Sequence, residues 1–149
     1  PDYQYFANDC SLEALLIAKR NALKLARSKI DFYADSWFSS LSKRRTFDLI
    51  VSNPPYIPSN DVKGLQPEIK EFEPLTALDG GEDGLDCYRS ILKKAYHYLV
   101  PGGRILLEIG FDQKEGVLNI LKQYSQYGSV QFVRDLAGHN RVVIIKKIN

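Results

Sequence analysis

Residues 47–56 read Phe-Asp-Leu-Ile-Val-Ser-Asn-Pro-Pro-Tyr, and this stretch joins a short apolar strand to a rigid polar turn. Leu49, Ile50 and Val51 form the continuous apolar run that is typical of a parallel strand covered on both faces. In open α/β sheets, ligands bind outside the carboxyl ends of such strands. The stretch therefore predicts an α/β fold with a functional site at residues 53–56.

The turn at residues 53–56 carries an unusual set of hydrogen-bond acceptors. Pro54 and Pro55 fix two successive φ angles and donate no N–H, so the carbonyls of Asn53 and Pro54 are held with little local competition. The Asn53 side-chain oxygen and a backbone carbonyl can accept hydrogen bonds from one substrate NH₂ group, while Tyr56 offers its ring face to a planar amide or base. These four residues are the predicted catalytic and substrate-binding residues. For a Pro-Pro pair alone, a loop that simply ends a strand is the alternative.

Length and composition indicate a single globular domain over residues 1–149, with 44% hydrophobic residues. Twenty Lys and Arg against 18 Asp and Glu give a net charge of +2, without the basic excess typical of nucleic-acid binding. Cys10 and Cys87 have no CxxC spacing, so neither a metal site nor a disulfide framework is indicated. No apolar run reaches the roughly 20 residues of a membrane span, and no signal peptide is evident. We therefore expect a cytoplasmic protein without metal or membrane partners.

The first part of the chain predicts a strand over residues 2–7 and a helix over about residues 12–27, with Ser11 as its N-cap. An apolar stripe on this helix is expected to cover the sheet, and it consists of Leu12, Leu15, Leu16, Leu23 and Ala26. Asp9 follows the strand, where a carboxylate can accept both hydroxyl hydrogens of a ribose. The alternative for Asp9 is a cap at the helix start.

A second short strand is predicted over residues 30–34, followed by Asp35, Ser36 and Trp37. Trp37 is the only Trp of the chain, and just past a strand end its indole can pack against an adenine. Asp35 can accept a hydrogen bond from the exocyclic amino group of that base. An ordinary core Trp is the alternative.

The remaining chain alternates a long loop, helices and strands. Residues 57–85 predict a functional loop above the site, because four loop signals interrupt it: Pro58, Pro67, Pro74 and Gly80-Gly81. The elements expected next are a helix over 86–99, a stop at 101–103, a strand over 104–109 and a helix over 114–124. Two strands near 130–134 and 141–147 form an antiparallel hairpin. His139 is predicted as a turn residue away from the site strand ends, and His97 as a structural residue on a helix.

Taken together, these motifs resemble the catalytic domain of the HemK family, the glutamine methyltransferases of peptide chain release factors. The resemblance covers essentially the whole chain. It is carried by residues 8–15 with Ala18 and Asn21, by 35–37, by 52–57, by 73–78 continuing to 80–85, by Tyr88-Arg89 and by 107–110. The tetrapeptide Asn-Pro-Pro-Tyr is shared with adenine methyltransferases of nucleic acids, whereas the run from Glu73 to Leu85 resembles HemK proteins in particular.

The resemblance implies a Rossmann-like methyltransferase fold, with a mostly parallel sheet and a C-terminal antiparallel hairpin, and S-adenosylmethionine as methyl donor. It implies that Asp9 binds the ribose and that Trp37 flanks the adenine, with Asp35, Ser36 and Asn53 also at the cofactor. Residues 53–56 would hold a glutamine side chain, and Glu73 would help to bind the release factor. No metal or direct nucleic-acid contact is implied.

One departure from the family pattern concerns the start of the chain. Family members open the catalytic domain with a strand and a glycine-rich loop, which this sequence lacks, so we expect an N-terminally truncated domain. The missing strand would leave two inner sheet edges unpaired and would favour self-association. Two alternatives remain: a methyltransferase of adenine or guanine amino groups in nucleic acid, and a non-catalytic fragment that binds no cofactor.

Overall fold

Six strands form two sheets in the computed structural model, which describes residues 3–25, 30–42 and 44–148. The chain divides into two units, residues 1–42 and residues 43–149. The first unit contains a two-stranded sheet and the second contains a four-stranded sheet. The architecture is therefore α/β, as predicted.

The first unit consists of strand β1 (Tyr5–Asp9), helix α1 (Leu12–Leu25) and strand β2 (Ile30–Ala34). The two strands pair in parallel, as expected for strands joined by a crossover helix. Ser11 caps α1 as predicted, because its Oγ accepts a hydrogen bond from the Ala14 N–H at 3.2 Å. The predicted strand over residues 2–7 lies two to three residues too early, and Asp2 is outside the described residues.

The predicted apolar stripe of α1 is largely exposed. Only Leu15 is buried, at 7% exposure, whereas Leu12, Leu16 and Leu23 are 65%, 51% and 80% exposed. Ala26 lies outside the described residues. The prediction that this stripe covers the sheet is therefore wrong for the described part of the helix, since a sheet of two strands is too narrow to bury a whole helical face.

The second unit begins with strand β3 (Phe47–Ser52) and three short helical segments: α2 (Ser59–Val62), α3 (Pro67–Phe72) and a 3₁₀ turn over Leu75–Ala77. Helix α4 (Asp86–Ala95), a 3₁₀ turn over Tyr96–Tyr98 and strand β4 (Leu99–Glu108) follow. Helix α5 (Lys114–Leu121) leads to strands β5 (Tyr127–Arg134) and β6 (Asn140–Lys147). The long predicted loop over residues 57–85 thus contains short helices.

The second sheet has the strand order β3-β4-β6-β5. Strand β3 is parallel to β4, and β6 is antiparallel to both of its neighbours, which confirms the predicted C-terminal hairpin. The core lies on one sheet face and on the helices, with exposures of 0–1% for Ile91, Leu92, Leu99, Ile105, Leu107, Val117, Val143 and Ile145.

Strand β3 is covered on one face only, so the prediction of two covered faces is wrong. Ile50 pairs with the fully buried Ile105, which places it on the core face. Leu49 and Val51 point to the opposite face and are 52% and 66% exposed. A continuous apolar run does not distinguish these two situations, because the alternation of the pleat is invisible when every residue is apolar.

Strand β4 starts five residues earlier than predicted. Phe47 pairs with Leu99 and Leu49 pairs with Arg104, so residues 100–103 form an irregularity within the strand. The Pro101-Gly102-Gly103 sequence, predicted as a stop after a helix, is accommodated inside β4, and α4 ends at Ala95. In the described residues, none of the helices combines the length and apolar character that crossing a membrane requires.

Candidate functional site

The predicted turn at residues 53–56 directly follows the last residue of β3, Ser52. Pro54 is fully buried and Asn53 is exposed, while Pro55 and Tyr56 are half-buried. The buried ring of Pro54 anchors the turn, and its fixed φ leaves the neighbouring carbonyls little freedom. The Asn53 amide is consequently accessible on a rigid base at the carboxyl end of a parallel strand.

The chain that follows the turn is bound by backbone hydrogen bonds to residues 78–81. The Ile57 N–H donates to the Leu78 carbonyl at 3.0 Å, and the Gly80 N–H donates to the Ile57 carbonyl at 2.8 Å. Ser59 adds a bond from its N–H to the Gly81 carbonyl and one from its Oγ to Asp79 Oδ1. The hydrogen bond from Ser59 and one from the Gly81 N–H hold the pKa of Asp79 below its usual value. The predicted functional loop is therefore folded against the turn.

Two glycines allow this close packing. A Cβ on Gly80 would lie 2.8 Å from the Tyr56 Cα. Gly84 has a φ of +73°, and a Cβ there would lie 2.4 Å from the Tyr56 carbonyl oxygen. Only a residue without a side chain fits either position without displacing the turn.

The Tyr56 side chain points to the end of β4. Its hydroxyl donates to Glu108 Oε1 at 3.2 Å. Burial, and then the negative charge of Glu108, raise the pKa of Tyr56, while Arg141 opposes this shift. The hydroxyl is therefore protonated at neutral pH, and its hydrogen bond fixes the ring plane. The sequence motifs alone assign no role to Glu108 or Arg141, because residues so distant in sequence gain a shared contact only in the fold.

The turn between β5 and β6 lies at the same end of the sheet. The Ile109 N–H donates to the Arg141 carbonyl at 2.9 Å, and the His139 ring lies 5.7 Å from the Phe111 ring. Asp135 accepts from the Arg141 guanidinium at 3.2 Å. The prediction that His139 lies away from the site strand ends is therefore wrong. The reason is that β5 runs parallel to β4, so the hairpin turn returns the chain to the carboxyl edge.

Gln113 is a buried polar residue that the sequence motifs do not single out. Its Nε2 donates to the Tyr56 carbonyl at 2.8 Å and to the Gly84 carbonyl at 3.1 Å. The sequence offers one signal for Gln113, which is its position directly before α5. Many residues beside a helix have that position without any other role.

In the first unit, the structure brings together the predicted cofactor-binding residues at the ends of β1 and β2. The Asp35 N–H donates to the Asp9 carbonyl at 3.1 Å, and Asn8 Nδ2 donates to the Trp37 carbonyl at 3.1 Å. Asp9 Oδ1 also accepts from the Ser11 N–H at 2.8 Å, so one oxygen of this exposed carboxylate closes a turn just before α1, whose cap is Ser11. Trp37 is half-buried with a φ of +62°, an uncommon conformation for a bulky residue that is concentrated at functional sites.

Asp35 has one carboxylate oxygen that is hydrogen-bonded and one that is not. The residue is 7% exposed, and its Oδ1 accepts hydrogen bonds from Ser39 Oγ and the Ser40 N–H. Burial acts to raise the pKa of Asp35, but these hydrogen bonds outweigh it and leave the pKa below its usual value. The second oxygen, Oδ2, is buried without a hydrogen-bond partner among the described residues. Since buried carboxylate oxygens are normally paired, an amino donor from a ligand fits this position.

The remaining predicted site residues have less defined surroundings. Ser36 is exposed, and its carbonyl accepts from Ser39 Oγ at 2.9 Å. Glu73 is exposed at the end of α3, where its N–H donates to the Ile69 carbonyl at 2.9 Å. Asn53 belongs to the second unit, whereas Asp9, Asp35, Ser36 and Trp37 belong to the first. Among the described residues, no group of three or more His, Cys, Asp or Glu side chains could hold a metal ion.

Solved structures with the same fold include methyltransferases. The ribosomal protein L11 methylase of Lactobacillus delbrueckii subsp. bulgaricus matches with a TM-score of 0.67 and 16% identity, over 98% of this chain and 58% of its own. A methyltransferase of Streptococcus mutans in complex with SAH matches with a TM-score of 0.60 and 19% identity, over 97% and 76% of the two chains. The fold is thus the Rossmann-like fold of methyltransferases.

In sequence, the chain is related to the release factor glutamine methyltransferases. That of Gloeobacter violaceus is 41% identical over 97% of this chain and 50% of its own length. That of Thermodesulfovibrio yellowstonii is 40% identical over 99% and 52% of the two. The chain spans about half the length of these curated relatives. No protein-family model matches the sequence.

Proposed function

We propose that the protein containing this chain transfers a methyl group from S-adenosylmethionine to the side-chain amide nitrogen of a glutamine in a peptide chain release factor. The observation that carries this proposal is the exposed Asn53 amide on the buried Pro54, at the carboxyl end of β3. The names of the sequence relatives support the glutamine and the release factor as substrate.

The first unit supplies the residues that would hold the methyl donor. S-adenosylmethionine, when bound, provides a sulfonium methyl group. Asp35 Oδ2 would accept a hydrogen bond from the adenine amino group, because it is buried and has no partner among the described residues. Asp9 would bind the ribose hydroxyls, Trp37 would flank the adenine ring, and Ser36 lies between them in sequence.

The turn at residues 53–56 would hold the glutamine. Asn53 Oδ1 and the Pro54 carbonyl accept hydrogen bonds from the NH₂ group and so fix the nitrogen in plane, while the Tyr56 ring packs on the amide. Positive charge that develops on the nitrogen is stabilised by these two fixed acceptors. The surplus proton is then released to water. Holding both groups in place supplies much of the rate enhancement, since no covalent intermediate with the protein is needed.

The release factor would present its glutamine on a loop, and the segment after Tyr56, including Glu73, would bind it. A protein substrate agrees with the net charge of +2, which offers no strong attraction to phosphates. We infer that the protein acts in the cytoplasm, where release factors are found, and that it makes no direct contact with nucleic acid.

Substitution of Asn53 tests the proposal. In the longest natural protein that contains these residues, Asn53→Ala should lower kcat for release factor methylation by about 10²-fold or more, with little change in methyl-donor affinity. Asn60→Ala is the matched control, because Asn60 is an exposed Asn on α2, seven residues further along. Equal losses in binding and turnover would contradict the proposal. If the protein methylates nucleic acid and not the release factor, the methyl acceptor is a base amino group and not a glutamine amide.

Calorimetry tests whether this chain by itself binds the methyl donor. Titration with S-adenosylmethionine should give heat in the unsubstituted chain, and Asp35→Ala should weaken the binding by removing the unpaired acceptor. Asp31→Ala, on the exposed side of β2, is the control. Absence of heat in the unsubstituted chain would favour the non-catalytic alternative for these 149 residues.

We also propose that isolated chains associate through strand edges. In the described part of the chain, β1 pairs only with β2, and β3 pairs only with β4. An unpaired strand edge readily adds another strand. The exposed Leu49 and Val51 of β3 would add apolar contacts to such an association. Light scattering should show a mass above that of one chain, and a strictly monomeric species would refute the association.

A further inference from the structure

Gln113 has a hydrogen-bond arrangement in which its whole amide is used. Nε2 donates to the carbonyls of Tyr56 and Gly84, at 2.8 Å and 3.1 Å. Oε1 accepts from the Gly110 N–H at 2.9 Å and from the Tyr88 hydroxyl at 3.2 Å. A primary amide has two donor hydrogens and two acceptor lone pairs, so every position is filled. The residue is only 9% exposed, which makes loss of any of these bonds costly.

The four partners of Gln113 belong to different segments of the second unit. Tyr56 closes the turn after β3, and Gly84 precedes α4. Tyr88 lies within α4, and Gly110 follows β4. The single hydrogen of the Tyr88 hydroxyl is shared between Gln113 Oε1 and the Glu108 carbonyl, whose oxygen lies 3.0 Å away, and this contact joins α4 to the end of β4. Gln113 therefore joins these segments of the described chain at the Tyr56 carbonyl.

The packing around the Gln113 amide is close at two glycines. A Cβ on Gly110 would lie 2.9 Å from Gln113 Oε1, and a Cβ on Gly84 would lie 2.6 Å from Nε2. The amide is thus enclosed by backbone on both sides. A donor at the Tyr56 carbonyl fixes the peptide plane that follows Tyr56, while the hydroxyl bond to Glu108 fixes the Tyr56 ring.

We propose that Gln113 is a positioning residue for methyl transfer: through the Tyr56 carbonyl it holds the turn at residues 53–56 in the orientation that receives the substrate amide. This inference rests on the proposed function and adds to it a residue 57 positions from Tyr56. Gln113 touches neither substrate nor methyl donor. Its effect is on the alignment of the turn, where a misplacement of about 1 Å lowers turnover on the order of 10²-fold.

Gln113→Glu is the sharpest test, because the change is nearly isosteric. An ionised carboxylate still accepts from Gly110 and Tyr88 but cannot donate to the carbonyls of Tyr56 and Gly84. In the longest natural protein that contains these residues, kcat for release factor methylation should fall about 10- to 100-fold. The KM for S-adenosylmethionine should stay within about twofold of that of the unsubstituted protein, since the hydrogen-bond partners of Gln113 are not residues that would hold the methyl donor. Gln123→Glu, the same change at an exposed position, should alter neither quantity.

The pH profile separates positioning from simple loss of structure. A buried carboxyl group beside two carbonyls has a raised pKa, and its protonated form regains one donor. The kcat of Gln113→Glu, relative to that of the unsubstituted protein, should therefore recover as pH is lowered. An unchanged kcat in Gln113→Glu would overturn the proposal, and so would equal losses in kcat and in methyl-donor affinity.

A milder variant covers the case in which Gln113→Glu does not fold. Tyr88→Phe removes the hydroxyl contact with Oε1 and with the Glu108 carbonyl but keeps both donor bonds of Gln113 Nε2, and it should lower kcat in the same direction by a smaller factor. Amide hydrogen exchange in the 149-residue chain gives a readout that needs no catalysis. The Ile57 and Gly80 amides should exchange at least tenfold faster in Tyr88→Phe, and unchanged exchange would overturn the proposal. If the unsubstituted protein transfers no methyl group while exchange still responds, the proposed function fails and the positioning of the turn stands.

Discussion

Substitution of Gly84 by alanine tests how tightly the loop before α4 holds the turn. Gly84 has a φ of +73°, a region that costs an L-residue about 1–2 kcal/mol. The new Cβ would lie 2.4 Å from the Tyr56 carbonyl oxygen and 2.6 Å from Gln113 Nε2. Neither atom is the end of a flexible exposed side chain. The turn and the loop must therefore separate, which breaks the 2.8 Å hydrogen bond between Gln113 and Tyr56.

The expected loss of stability follows from these two effects. Leaving buried hydrogen-bonding groups unsatisfied costs about 1–3 kcal/mol. With the backbone strain, Gly84→Ala should lower the free energy of unfolding by about 2–5 kcal/mol. For a chain of this size, the melting temperature should fall on the order of 10 °C.

Gly138→Ala is the matched control for Gly84→Ala. Gly138 also has a positive φ, +86°, but a Cβ there would meet nothing within 4 Å. This variant should therefore lose only the backbone strain of about 1–2 kcal/mol. Amide exchange in β4 reports the stability of the second unit directly, whereas the only Trp, Trp37, belongs to the first. Equal destabilisation by the two variants would refute the close contact between Gly84 and the turn.

Two further predictions concern Tyr56 and Asp83. Tyr56→Phe removes the hydroxyl bond to Glu108 but keeps the ring. Turnover measured by steady-state kinetics should therefore fall far less than in Tyr56→Ala. An equally large loss of turnover in both variants would contradict packing of the ring on the substrate amide. The Arg89 guanidinium lowers the pKa of Asp83 to about 2. Because this folded-state pKa lies below the unfolded value of about 3.9, the stabilisation is present above pH 4 and is lost as pH falls towards 2. The free energy of unfolding of Asp83→Asn, measured with urea, should therefore depend less on pH between about 4 and 2 than that of the unsubstituted chain. The difference should be small because the Asp83–Arg89 pair is exposed. The same pH dependence in both proteins would contradict the lowered pKa of Asp83.

The sequence predicts the order of elements well because each strand and helix has a strong local pattern. The strand Ile30–Ala34 is predicted with its observed bounds, and the carboxyl ends that precede Asp35 and Asn53 are placed correctly. The carboxyl end of β1 lies at Asp9, two residues beyond its predicted place. Local patterns fail where residues are apolar on both faces or where a glycine-rich run enters a strand. Leu49 and Val51 illustrate the first case, and residues 101–103 within β4 illustrate the second.

Side-chain contacts between distant segments could not be predicted from the sequence. Gln113 lies 57 residues from Tyr56, and Glu108 lies 52 residues from it. A hydrogen bond between such residues depends on strand register and loop path, neither of which has a signature in composition or spacing. The same reason explains the wrong placement of His139, since its position follows from the direction of β5 relative to β4.

The arrangement around Tyr56 explains why four residues alone do not define the site. Pro54 and Pro55 fix φ within the turn, but they leave the direction of the turn relative to the sheet undetermined. That direction is set at the Tyr56 carbonyl, which accepts from Gln113 and lies against Gly84. If Asn-Pro-Pro-Tyr were placed at the end of another strand, it would bring the same hydrogen-bond acceptors, but their direction relative to the sheet would not be set. It follows that the acceptor side of the proposed reaction is a property of residues 52–113 as a whole, and that substitutions at Gly84 or Gln113 should act on turnover through alignment of Asn53, not through its chemistry.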